Sequence, residues 1–569
     1  MTFFEWREAP PDTQYAVIGD PIGHSLSPLV HMAALGHLRM NQRYVALRVP
    51  PEELEDALKH LRLIGYLGLN VTTPHKEAAF AWCTDVDDIA RSARSVNTLE
   101  LPTRRGTSTD GQGFLSGLPS GIQSALVLGS GGSARVVVNT LLSVGIDVHI
   151  WARNPGKARE IHDSVLIDAD TGGFDIVINC TSSGLHKTPL PISWKAVTRF
   201  AYDLAYAQAS YSFLASARAH GVTAIDGLAM LAEQGALAFE WWHKVPAPRE
   251  IMTRALLTAA KIREADSPSI AVACALLQDR ALVAIPTETV YGLAANALDE
   301  FAVQRIFETK GRPATNPLIV HVSSVPQAQQ LARSWPTKAA QLAAAFWPGP
   351  LTMVLPKSAI VPDCVTAGLD SVALRMPDHP VALSVITGSH VPLAAPSANT
   401  FTEVSPTRVA DLSLAILRGA DLVLDGGPCK VGIESTVVSI VDGNVKLLRL
   451  GIISKKALEE VLGQSVQHPD DHELKASPGQ HPKHYSPRAR VRLVDVLEHA
   501  ASGLTFGTPQ SAEQIQMPSS ESDYAAKLYA ALSHFDWLGV KEIQVERPPI
   551  GWVAIWDRLN RASAEDPAE

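Results

Sequence analysis

The stretch ALVLGSGGSARVVVNTLL, residues 125–142, decides the fold of the first part of this chain. Its apolar start is typical of a buried strand, and Gly129, Gly131 and Ala134 follow with G-x-G-x-x-A spacing where a helix opens. Such glycines let the backbone approach a pyrophosphate, which binds at the helix N-terminus where free N–H groups point outward. The motif alone is weak evidence, but a preceding strand and a following helix are the context it requires. The alternative interpretation is a glycine turn beside a solvated basic loop.

The next strand bears on the choice of cofactor. The segment DVHIWARNPGK, residues 147–157, should end where the adenosine ribose lies. A site for NAD usually has Asp or Glu there, which accepts a hydrogen bond from the ribose 2′-hydroxyl. This chain has Arg153 and Lys157 instead, and cations suit a 2′-phosphate. The sequence therefore favours NADP.

Short apolar runs alternate with helical patterns along the 569 residues, which predicts an α/β protein with helices on the faces of parallel sheets. The length favours three or four domains. We expect an α/β substrate domain over residues 1–120, a Rossmann NADP-binding domain over 121–264 whose last helices return to the substrate domain, a twisted α/β domain over 265–466, a polar linker over 467–490 and a small α/β domain over 491–569.

Composition excludes several classes of protein. Apolar residues make up 46% and charged residues 19%, which is ordinary for a globular protein. The net charge of −9 argues against a chain that acts mainly as a polycation on nucleic acid. The five cysteines show no C-x-x-C pair, so neither a disulfide framework nor a zinc site is predicted. The start, MTFFEWREAPPD, lacks the features of a signal peptide, and no apolar run is long enough to span a bilayer, so we expect a cytoplasmic protein.

Several polar residues upstream of the glycine turn are candidates for substrate chemistry. Ser25 and Ser27 are hydroxyl donors at i and i+2 in a turn, which suits a carboxylate. Lys76 follows a strand and opens a helix, and Asp110 lies in a glycine-flanked turn. A lysine and an aspartate that share a proton can protonate a carbonyl oxygen as hydride arrives. Taken singly, each residue also has an ordinary structural interpretation.

These motifs together resemble shikimate dehydrogenase over about residues 14–258: GDPIGHSLSP, NVTTPHK, SVNT, STDG, GSGGSAR, NCTSSG, YDLAY and DGLAMLAEQ. The resemblance implies reversible, NADP-linked interconversion of 3-dehydroshikimate and shikimate, with Lys76 and Asp110 as the catalytic pair. It implies that Ser25, Ser27, Thr72, Asn97, Tyr206 and Gln234 hold the substrate. It places Gly129, Ser130, Gly131, Gly132, Ser133, Ala134, Arg135, Arg153, Lys157 and Gly227 around the cofactor.

This part of the chain departs from the family pattern at a few positions. Ser108 replaces an asparagine in GDNTDG, Ala229 replaces a glycine in DGLGML, and the usual NRT is ARN. These changes weaken the inference about cofactor preference more than the inference about activity. By family analogy Ser27, rather than threonine, favours shikimate over quinate.

A second group of polar motifs begins at PTETVYGL, residues 286–293. Lys310 and Arg312 alternate, so in an extended segment both side chains would point the same way. Together with Arg375 at another strand end, they would suit a triphosphate. Ser397 and Asn399 repeat the i, i+2 pattern in PSAN, and no G-x-x-x-x-G-K-[ST] loop occurs. In isolation, the basic pair is better explained as a solvated turn before a proline, and the alternative for PSAN is a simple turn.

These motifs resemble the YrdC-type threonylcarbamoyl-AMP synthases over about residues 270–465, and the K-x-R and S-x-N pairs are that family's hallmarks. The resemblance implies that L-threonine, bicarbonate and ATP, with Mg²⁺, give threonylcarbamoyl-adenylate and pyrophosphate. Partner proteins would then transfer the threonylcarbamoyl group to an adenosine of tRNA. The resemblance implies that Thr287, His321, Arg375 and Ser435 face threonine. It places Lys310, Arg312, Asn316, Ser371, Ser397, Asn399, Ser405 and Arg449 at ATP. His321 also has an ordinary interpretation as a buried core histidine.

The polar linker resembles that of the longer members of this family, which carry an extra C-terminal domain. Its Tyr485 is expected to close over the nucleotide as a lid that excludes water. Gln480, His481 and Pro482 depart from the usual linker pattern, and Leu450 replaces the proline of RPG.

Two alternatives to a bifunctional enzyme remain open at this stage. The second half could be an RNA- or nucleotide-binding module, because its expected fold offers a concave basic face. The first half could be a quinate/shikimate-type enzyme or a regulatory relic. Nothing in the sequence indicates channelling of a substrate between the two sites.

Overall fold

The computed structural model describes residues 2–166, 168, 173–186, 188, 190–194, 197–469 and 484–564. The chain divides into two compact units, Met1–Ala260 and Lys261–Glu569. The boundary precedes the one expected near Glu264, because the Lys261 ammonium donates hydrogen bonds of 2.8 Å to two backbone carbonyls of the second unit, Arg418 O and Ala420 O. The linker residues Gln480, His481 and Pro482 lie outside the described residues.

The first unit begins with the sheet that carries the candidate catalytic lysine. Its strands are β1 (Phe4–Glu5), β2 (Tyr15–Gly19), β3 (Tyr44–Arg48), β4 (Gly68–Val71), β5 (Asp85–Val86), β6 (Thr98–Glu100) and β7 (Arg105–Thr107). Its helices are α1 (Ser27–His37), α2 (Leu54–Leu63), α3 (Lys76–Trp82), α4 (Asp88–Ala93) and α5 (Asp110–Gly117). The strand order is β1-β3-β2-β4-β6-β7-β5, and the pairs β3–β2 and β2–β4 are parallel. The carboxyl ends of β2 and β4 therefore lie side by side.

A parallel sheet built around the glycine turn completes the first unit. Its strands are β8 (Ser124–Leu128), β9 (Asp147–Trp151), β10 (Phe174–Asn179), β11 (Val197–Asp203) and β12 (Thr223–Ile225). Its helices are α6 (Gly132–Ser143), α7 (Pro155–Arg159), α8 (Ser183–His186), α9 (Tyr211–Ala219), α10 (Leu228–His243) and α11 (Arg249–Lys261). The order is β12-β11-β10-β8-β9 with parallel pairing throughout, so β9 lies on one side of β8 and the later strands on the other, and the strand order reverses between β8 and β10. Such a switch point is where dinucleotides bind in open α/β sheets.

The long helix α10 returns to the first sheet, where it packs against α1 and α5. A Cβ on Gly113 of α5 would lie 2.8 Å from Gln234 Cβ, so this glycine permits the close approach of the two helices. Trp242 Nε1 at the other end of α10 donates to Leu99 O over 3.0 Å. This packing brings Gln234 to the helix that begins with Asp110.

The second unit holds a mixed sheet and a smaller parallel sheet. The mixed sheet has the order β13-β20-β14-β15-β19-β16-β18-β17-β21-β22, and the parallel sheet has the order β23-β26-β24-β25. The strands are β13 (Ile262–Glu264), β14 (Val283–Ile285), β15 (Gly292–Asn296), β16 (Ile319–His321), β17 (Leu351–Pro356), β18 (Ser371–Arg375), β19 (Leu393–Ala394), β20 (Leu422–Asp425), β21 (Thr436–Ser439), β22 (Lys446–Arg449), β23 (Arg490–Val494), β24 (Gly503–Thr505), β25 (Gln514–Gln516) and β26 (Glu542–Glu546). These sheets confirm the predicted α/β class.

Helices flank both sheets of the second unit. They are α12 (Ser267–Gln278), α13 (Glu300–Lys310), α14 (Val325–Leu331), α15 (Thr337–Phe346), α16 (Asp363–Thr366), α17 (Pro380–Ser389), α18 (Leu414–Gly419), α19 (Lys455–Leu462), α20 (Glu521–Leu538) and α21 (Val553–Ala562). Within the described residues, no helix is both long enough and apolar enough to cross a lipid bilayer.

Candidate active sites

The first candidate site lies at the edge where β2 and β4 end. Ser25 lies in the loop after β2 and Ser27 begins α1, whereas Thr72 lies in the loop after β4 and Lys76 begins α3. Backbone hydrogen bonds join the two loops: Thr72 N donates to Ile18 O over 3.0 Å, and Asp20 N donates to Thr73 O over 3.1 Å. Polar side chains from distant parts of the sequence are therefore held at one edge of the sheet.

Lys76 and Asp110 form a direct pair. Lys76 Nζ lies 2.6 Å from Asp110 Oδ2, and both side chains are largely buried. The other oxygen of the carboxylate, Oδ1, accepts a hydrogen bond of 2.8 Å from Asn97 Nδ2. The carboxylate is thereby fixed in rotation, and one of its oxygens always faces the ammonium. This geometry allows a proton to pass between the two groups.

Asn97 links this pair to helix α10. Its Nδ2 lies 3.3 Å from Gln234 Oε1 and 2.9 Å from Thr109 Oγ1, and its Oδ1 accepts from Thr109 N over 2.9 Å. Thr109 Oγ1 in turn donates to Gln234 O over 3.0 Å. The structure thus brings four predicted residues, Lys76, Asp110, Asn97 and Gln234, into one hydrogen-bonded chain.

The remaining predicted substrate residues lie on neighbouring loops. Ser25 Oγ accepts from Ser27 N over 3.4 Å, and both serines are buried. Burial raises the pKa of Tyr206, and a hydrogen bond with the backbone of Leu26 partly opposes that rise. The tyrosine hydroxyl therefore reaches the turn between the two serines. Their roles in substrate binding stay predictions.

A cleft of about 880 Å³ adjoins the catalytic pair. It is lined by the ends of β8, β9 and β10, including Gly129, Ser130, Gly131, Gly132, Ser133, Trp151, Arg153, Asn154 and Thr181–Ser183, and also by Lys76. Gly129 has φ +120°, where a side chain would be strained, and helix α6 begins three residues later with its free N–H groups. These features fit a pyrophosphate, and Arg153 with Asn154 fits a ribose phosphate.

Some predicted cofactor residues lie elsewhere among the described residues. Ala134 is fully buried inside α6, and Arg135 Nη1 donates to Glu160 O over 3.2 Å. Gly227 packs against the backbone of Leu204, where a Cβ would lie 2.1 Å from the carbonyl oxygen. Together with Lys157, these residues do not line the described part of the cleft, and their contact with NADP stays a prediction.

The sequence reasoning assigned no role to several residues that do line the cleft. These are Trp151, Asn154 and Thr181–Ser183. The motif NCTSSG carried the signal for the last three, because a hydroxyl-rich turn directly after strand β10 must lie at the carboxyl edge of the sheet.

Asp203, at the end of β11, is buried with an incomplete hydrogen-bond set. Its Oδ1 accepts from Asn179 Nδ2 at 3.1 Å and from Ala205 N at 3.0 Å, whereas its Oδ2 has no partner among the described residues. Burial raises the pKa of Asp203 to about 7, against an ordinary value near 4. The folded state therefore binds a proton that the unfolded chain releases at a lower pH.

We expect the stability of the first unit to fall as pH rises from about 4 to 7, because the raised pKa of Asp203 favours the protonated folded state. Each pH unit in this window costs up to about 1.4 kcal/mol of unfolding free energy, and the loss is complete above the folded pKa. Asp203→Asn removes this dependence. In thermal unfolding of both proteins from pH 5 to 8, the stability of the variant relative to the parent should increase as pH rises. A constant difference would contradict the assignment.

In the second unit, Lys310 holds the S-x-N loop, Ser397 to Asn399, through hydrogen bonds from its ammonium group. It is the last residue of α13, and its ammonium donates to Ser397 O at 2.5 Å, to Asn399 O and, at 3.5 Å, to Asn399 Oδ1. All three N–H groups thus have protein acceptors. Burial, followed by neighbouring Arg312, lowers the pKa of Lys310 well below its ordinary value. Contact of Lys310 with ATP stays a prediction.

The reason given for pairing Lys310 with Arg312 was wrong. The two residues do not alternate in an extended segment, because Gly311 ends α13 in a left-handed turn with φ +59°. Arg312 N then donates back to Phe307 O over 3.0 Å, which is the pattern of a helix C-terminal glycine cap. The two side chains then bond to different carbonyl groups. Arg312 Nη2 donates to Pro317 O at 2.8 Å and Nε to Asn316 O at 3.3 Å.

Arg375, the last residue of β18, is held by the PTET loop. Its Nη2 donates to Thr289 Oγ1 over 2.9 Å and lies 2.7 Å from Glu288 Oε1 without the alignment of a hydrogen bond. Thr287 Oγ1 and Thr289 Oγ1 are 2.9 Å apart. Arg375 Nε and His321 Nδ1 are buried and have no partner among the described residues. Such unpaired donors and acceptors suit a small polar ligand.

Burial, followed by the charge of Arg375, lowers the pKa of His321 to about 3, so the imidazole is neutral at physiological pH. It lies at the end of β16 and is paired in register with Arg375 of β18. A neutral ring beside a fixed guanidinium can accept or donate one hydrogen bond without adding charge.

Ser435 and Arg449 are joined by two hydrogen bonds. Arg449 donates from Nε to Ser435 O and from Nη2 to Ser435 Oγ, both over 3.0 Å. Gly451 allows this approach, because a Cβ there would lie 2.4 Å from Thr436 N. Ser405 Oγ donates to Glu434 Oε1 over 2.6 Å. Ser405 is therefore engaged with a carboxylate that the sequence reasoning did not single out.

Residues from these groups surround a cavity of about 50 Å³. Among the described residues it is lined by Thr289, Val290, Arg312, Pro317, Ile319, His321, Arg375, Ala395, Pro396, Ser397, Glu434, Arg449, His484 and Tyr485. Six further predicted residues do not line the cavity, but each forms a hydrogen bond with a residue that does: Thr287, Lys310, Asn316, Asn399, Ser405 and Ser435. Ser371 opens β18, about 13 Å of extended chain from Arg375, and its role stays a prediction.

Comparison with known proteins agrees with this division. Two family models match the first half: the shikimate dehydrogenase substrate binding domain at residues 17–99 and the shikimate 5'-dehydrogenase C-terminal domain at 227–257. Two match the second half: the Sua5/YciO/YrdC model, described as "Telomere recombination", at 275–451, and the threonylcarbamoyl-AMP synthase C-terminal domain at 453–564.

Full-length relatives give the same result. A threonylcarbamoyl-AMP synthase of Pyrococcus abyssi is 40% identical over 319 residues, which cover 52% of this chain and 94% of the relative. A shikimate dehydrogenase (NADP(+)) of Moorella thermoacetica is 38% identical over 273 residues, which cover 43% of this chain and 92% of the relative. The chain is a fusion of a shikimate dehydrogenase with a Sua5/YrdC-type threonylcarbamoyl-AMP synthase.

Both resemblances inferred from the sequence are thereby confirmed. A solved structure of P. abyssi Sua5 complexed with L-threonine is 37% identical to this chain, with a TM-score of 0.49, and covers 53% of this chain and 96% of that one. The shikimate dehydrogenase half contains the Lys76–Asp110 pair and the glycine-turn cleft, and the synthase half contains the arginine-lined cavity.

Proposed function

We propose that both halves are catalytic and that the chain carries out two unrelated reactions. The first is NADP-dependent interconversion of 3-dehydroshikimate and shikimate. The second is formation of threonylcarbamoyl-adenylate from L-threonine, bicarbonate and ATP. The observation that carries the proposal is the Lys76–Asp110 pair, whose atoms lie 2.6 Å apart beside a cleft that fits a dinucleotide. The arginine-lined cavity supports the second activity in the same way.

In the first reaction, Lys76 and Asp110 exchange a proton with the substrate oxygen. When shikimate is oxidised, its hydroxyl proton passes to this pair, and in reduction the pair returns it to the forming alcohol. Asn97 keeps Asp110 in the required rotamer. NADP supplies the hydride acceptor or donor when bound, and the glycine turn at Gly129 would hold its pyrophosphate.

In the second reaction, the chain must hold several anions together. The threonine amine and bicarbonate give a carbamate and water; a carbamate oxygen then attacks the α-phosphorus of ATP, and pyrophosphate leaves. Arg312, Arg375 and Arg449 are fixed by protein contacts before any ligand binds. Preorganised cations stabilise the charge that develops in the transition state without reorganising at that moment.

Mg²⁺ enters this proposal together with ATP rather than as a resident ion. Among the described residues, no group of three His, Cys, Asp or Glu side chains is placed to hold a metal. Magnesium commonly binds through substrate phosphates with few protein ligands. We infer that the ATP–Mg²⁺ complex is the substrate.

His484 and Tyr485 are among the residues that line the cavity of the synthase half. The cavity of about 50 Å³ is smaller than the roughly 300–1,000 Å³ of small-molecule sites. Binding of ATP therefore requires residues that line the cavity to move, and the contact of Tyr485 with the nucleotide stays a prediction.

The alternative that the second half only binds RNA is less well supported. Arg312, Arg375 and Arg449 are each less than a tenth exposed. Phosphate recognition along a polynucleotide uses cations on an accessible surface. Transfer to tRNA through partner proteins and a cytoplasmic location stay predictions.

A paired assay of the intact chain tests the proposed function. Shikimate-dependent reduction of NADP⁺ and pyrophosphate release that requires both threonine and bicarbonate should both occur with one purified protein. Separately expressed residues 1–260 and 261–569, cut at the boundary between the compact units, should each retain one reaction. Failure of either reaction in the intact chain would remove that half of the proposal.

Replacing Arg153 by alanine should raise the KM for NADP⁺ and leave the KM for shikimate unchanged. Arg153 lines the cleft next to Asn154, and a hydrogen bond to a charged group contributes roughly 1.5–3 kcal/mol, or about 10- to 100-fold in binding. Arg159→Ala, which changes an exposed arginine of the same loop and helix, serves as the control. Equal effects of the two substitutions would argue against a 2′-phosphate contact at Arg153.

A further inference from the structure

Glu434 is an unusual residue for the wall of a site that binds a triphosphate. Among the described residues that line the cavity, Glu434 is the only one with a carboxylate, and Arg312, Arg375 and Arg449 line the same cavity. It is 6% exposed. A buried carboxylate repels phosphate oxygens strongly because little solvent screens the charge. The repulsion must be cancelled by a positive charge that does not itself bind the ligand.

Arg558 provides such a charge from the C-terminal domain. It lies in α21, 124 residues from Glu434 in sequence, and its side chain is 1% exposed. Its Nε donates to Glu434 Oε2 over 2.9 Å, and its Nη2 donates to Leu450 O over 2.9 Å. Its remaining terminal nitrogen faces Asp557, which also pairs with Arg561. Each nitrogen of the guanidinium thus has a protein acceptor.

The same guanidinium touches the expected lid residue. Its central carbon lies 4.8 Å from the centre of the Tyr485 ring, and Tyr485 stacks on Tyr529 with ring centres 5.9 Å apart. Tyr529 Oη donates to Glu434 Oε2 over 2.9 Å. One residue of the C-terminal domain therefore contacts both Glu434 and Tyr485, two side chains that line the cavity.

The backbone around Glu434 is also held by the C-terminal domain. Gly432 has φ +78°, and a Cβ there would lie 2.4 Å from Ala525 O of helix α20. Ile433 and Tyr485 share one continuous hydrophobic core with residues of α20 and α21. Burial alone would raise the pKa of Glu434, but Arg558, followed by Arg449, outweighs it and keeps this pKa below its ordinary value. The carboxylate is therefore charged and needs its partner.

We propose that Arg558 is a positioning residue of the synthase site: it neutralises Glu434 from behind and orients Tyr485, so the C-terminal domain completes the ATP-binding wall. The inference rests on the proposed synthase activity. With Glu434 paired to Arg558, this carboxylate offsets less of the positive charge that Arg312 and Arg449 present to the ligand. The C-terminal domain then acts on ATP binding without touching ATP.

The test compares Arg558→Met, Arg558→Lys and the double variant Arg558→Met/Glu434→Gln in the full chain. Arg558→Met should raise the KM for ATP by about 10- to 100-fold, the value of a charge-assisted hydrogen bond, with a smaller change in kcat. The double variant should recover most of this loss, because it removes the unpaired carboxylate together with the cation. Arg558→Lys keeps the charge but cannot make all the contacts of the guanidinium, so its KM should fall between those of the parent and Arg558→Met. Arg547→Met, which removes an exposed arginine of the same domain that pairs with the exposed Asp495, is the matched control and should not change the KM.

Each outcome decides the question. An unchanged KM for ATP in Arg558→Met would overturn the inference, and so would a loss that Glu434→Gln does not relieve, because the effect would then be one of packing alone. If Arg558→Met is not recovered folded, the other two variants decide. A double variant that folds and has a KM for ATP near the parent value supports charge compensation. An Arg558→Lys variant with no more activity than an unfolded chain opposes it. Absence of threonine- and bicarbonate-dependent pyrophosphate release in the parent itself would instead refute the proposed function.

Discussion

Replacement of Lys76 by methionine is expected to lower kcat for shikimate-dependent NADP⁺ reduction by about 10²- to 10⁴-fold, the usual contribution of a positioned acid–base group. Methionine retains the length of the side chain but cannot carry a proton. Because Lys76 Nζ lies 2.6 Å from Asp110 Oδ2, its loss also leaves a largely buried carboxylate without its cation. Initial-rate measurements at saturating shikimate and NADP⁺ give the size of the effect.

Lys59→Met is the matched control for this experiment. Lys59 is 63% exposed and pairs with Glu55 one helical turn away, so its loss should leave the rate unchanged. Pyrophosphate release by the synthase half of the same variant should also be unchanged, and thermal unfolding reports on the first unit itself. A Lys76→Met protein that keeps most of the parent kcat would show that another group transfers the proton.

The second large effect is expected for Arg312→Met, which should lower threonine- and bicarbonate-dependent pyrophosphate release by about 10²- to 10³-fold, as loss of one preorganised donor does in other enzymes. Arg312 is fixed by the carbonyls of Asn316 and Pro317 and lines the cavity. Burial lowers the pKa of Arg312 to about 10, so the guanidinium remains charged at neutral pH. The substitution therefore removes a full positive charge from the site.

Lys456→Met provides the control on the same unit. This lysine is 86% exposed and lies 3.9 Å from Glu460, a surface pair that contributes little to stability. The Arg312 variant also leaves the Pro317 carbonyl without its donor, so thermal unfolding must accompany the assay. Retention of at least a third of the parent rate by folded Arg312→Met would show that Arg312 does not stabilise the transferred charge.

Much of the fold and of the candidate sites could be predicted because the polar residues of the sites lie in short sequence motifs. The strand, the Gly129 turn and the helix at Gly132 follow one another in sequence, so their geometry is set by neighbouring residues. Lys76 and Asp110 are only 34 residues apart, and each opens a helix at the carboxyl edge of the first sheet. The motifs also identified both families.

Prediction failed where the backbone conformation or a distant partner decides the role of a residue. Spacing placed Lys310 and Arg312 on one face of an extended segment, whereas Gly311 takes a left-handed conformation that ends the helix between them. The lysine then reaches carbonyls 87 and 89 residues further along the chain. A single sequence gives no sign of such contacts, because they depend on how the sheet brings the S-x-N loop to the helix end.

The sequence by itself determined the α/β class, the two families and most of the polar residues at the two sites, because periodicity and motif spacing are local properties of the chain. The tertiary structure alone decided which of those residues face a cavity and which support it from behind. It also joined Glu434 to Arg558, since an ionised carboxylate inside the protein needs a compensating partner, and packing rather than sequence distance selects that partner.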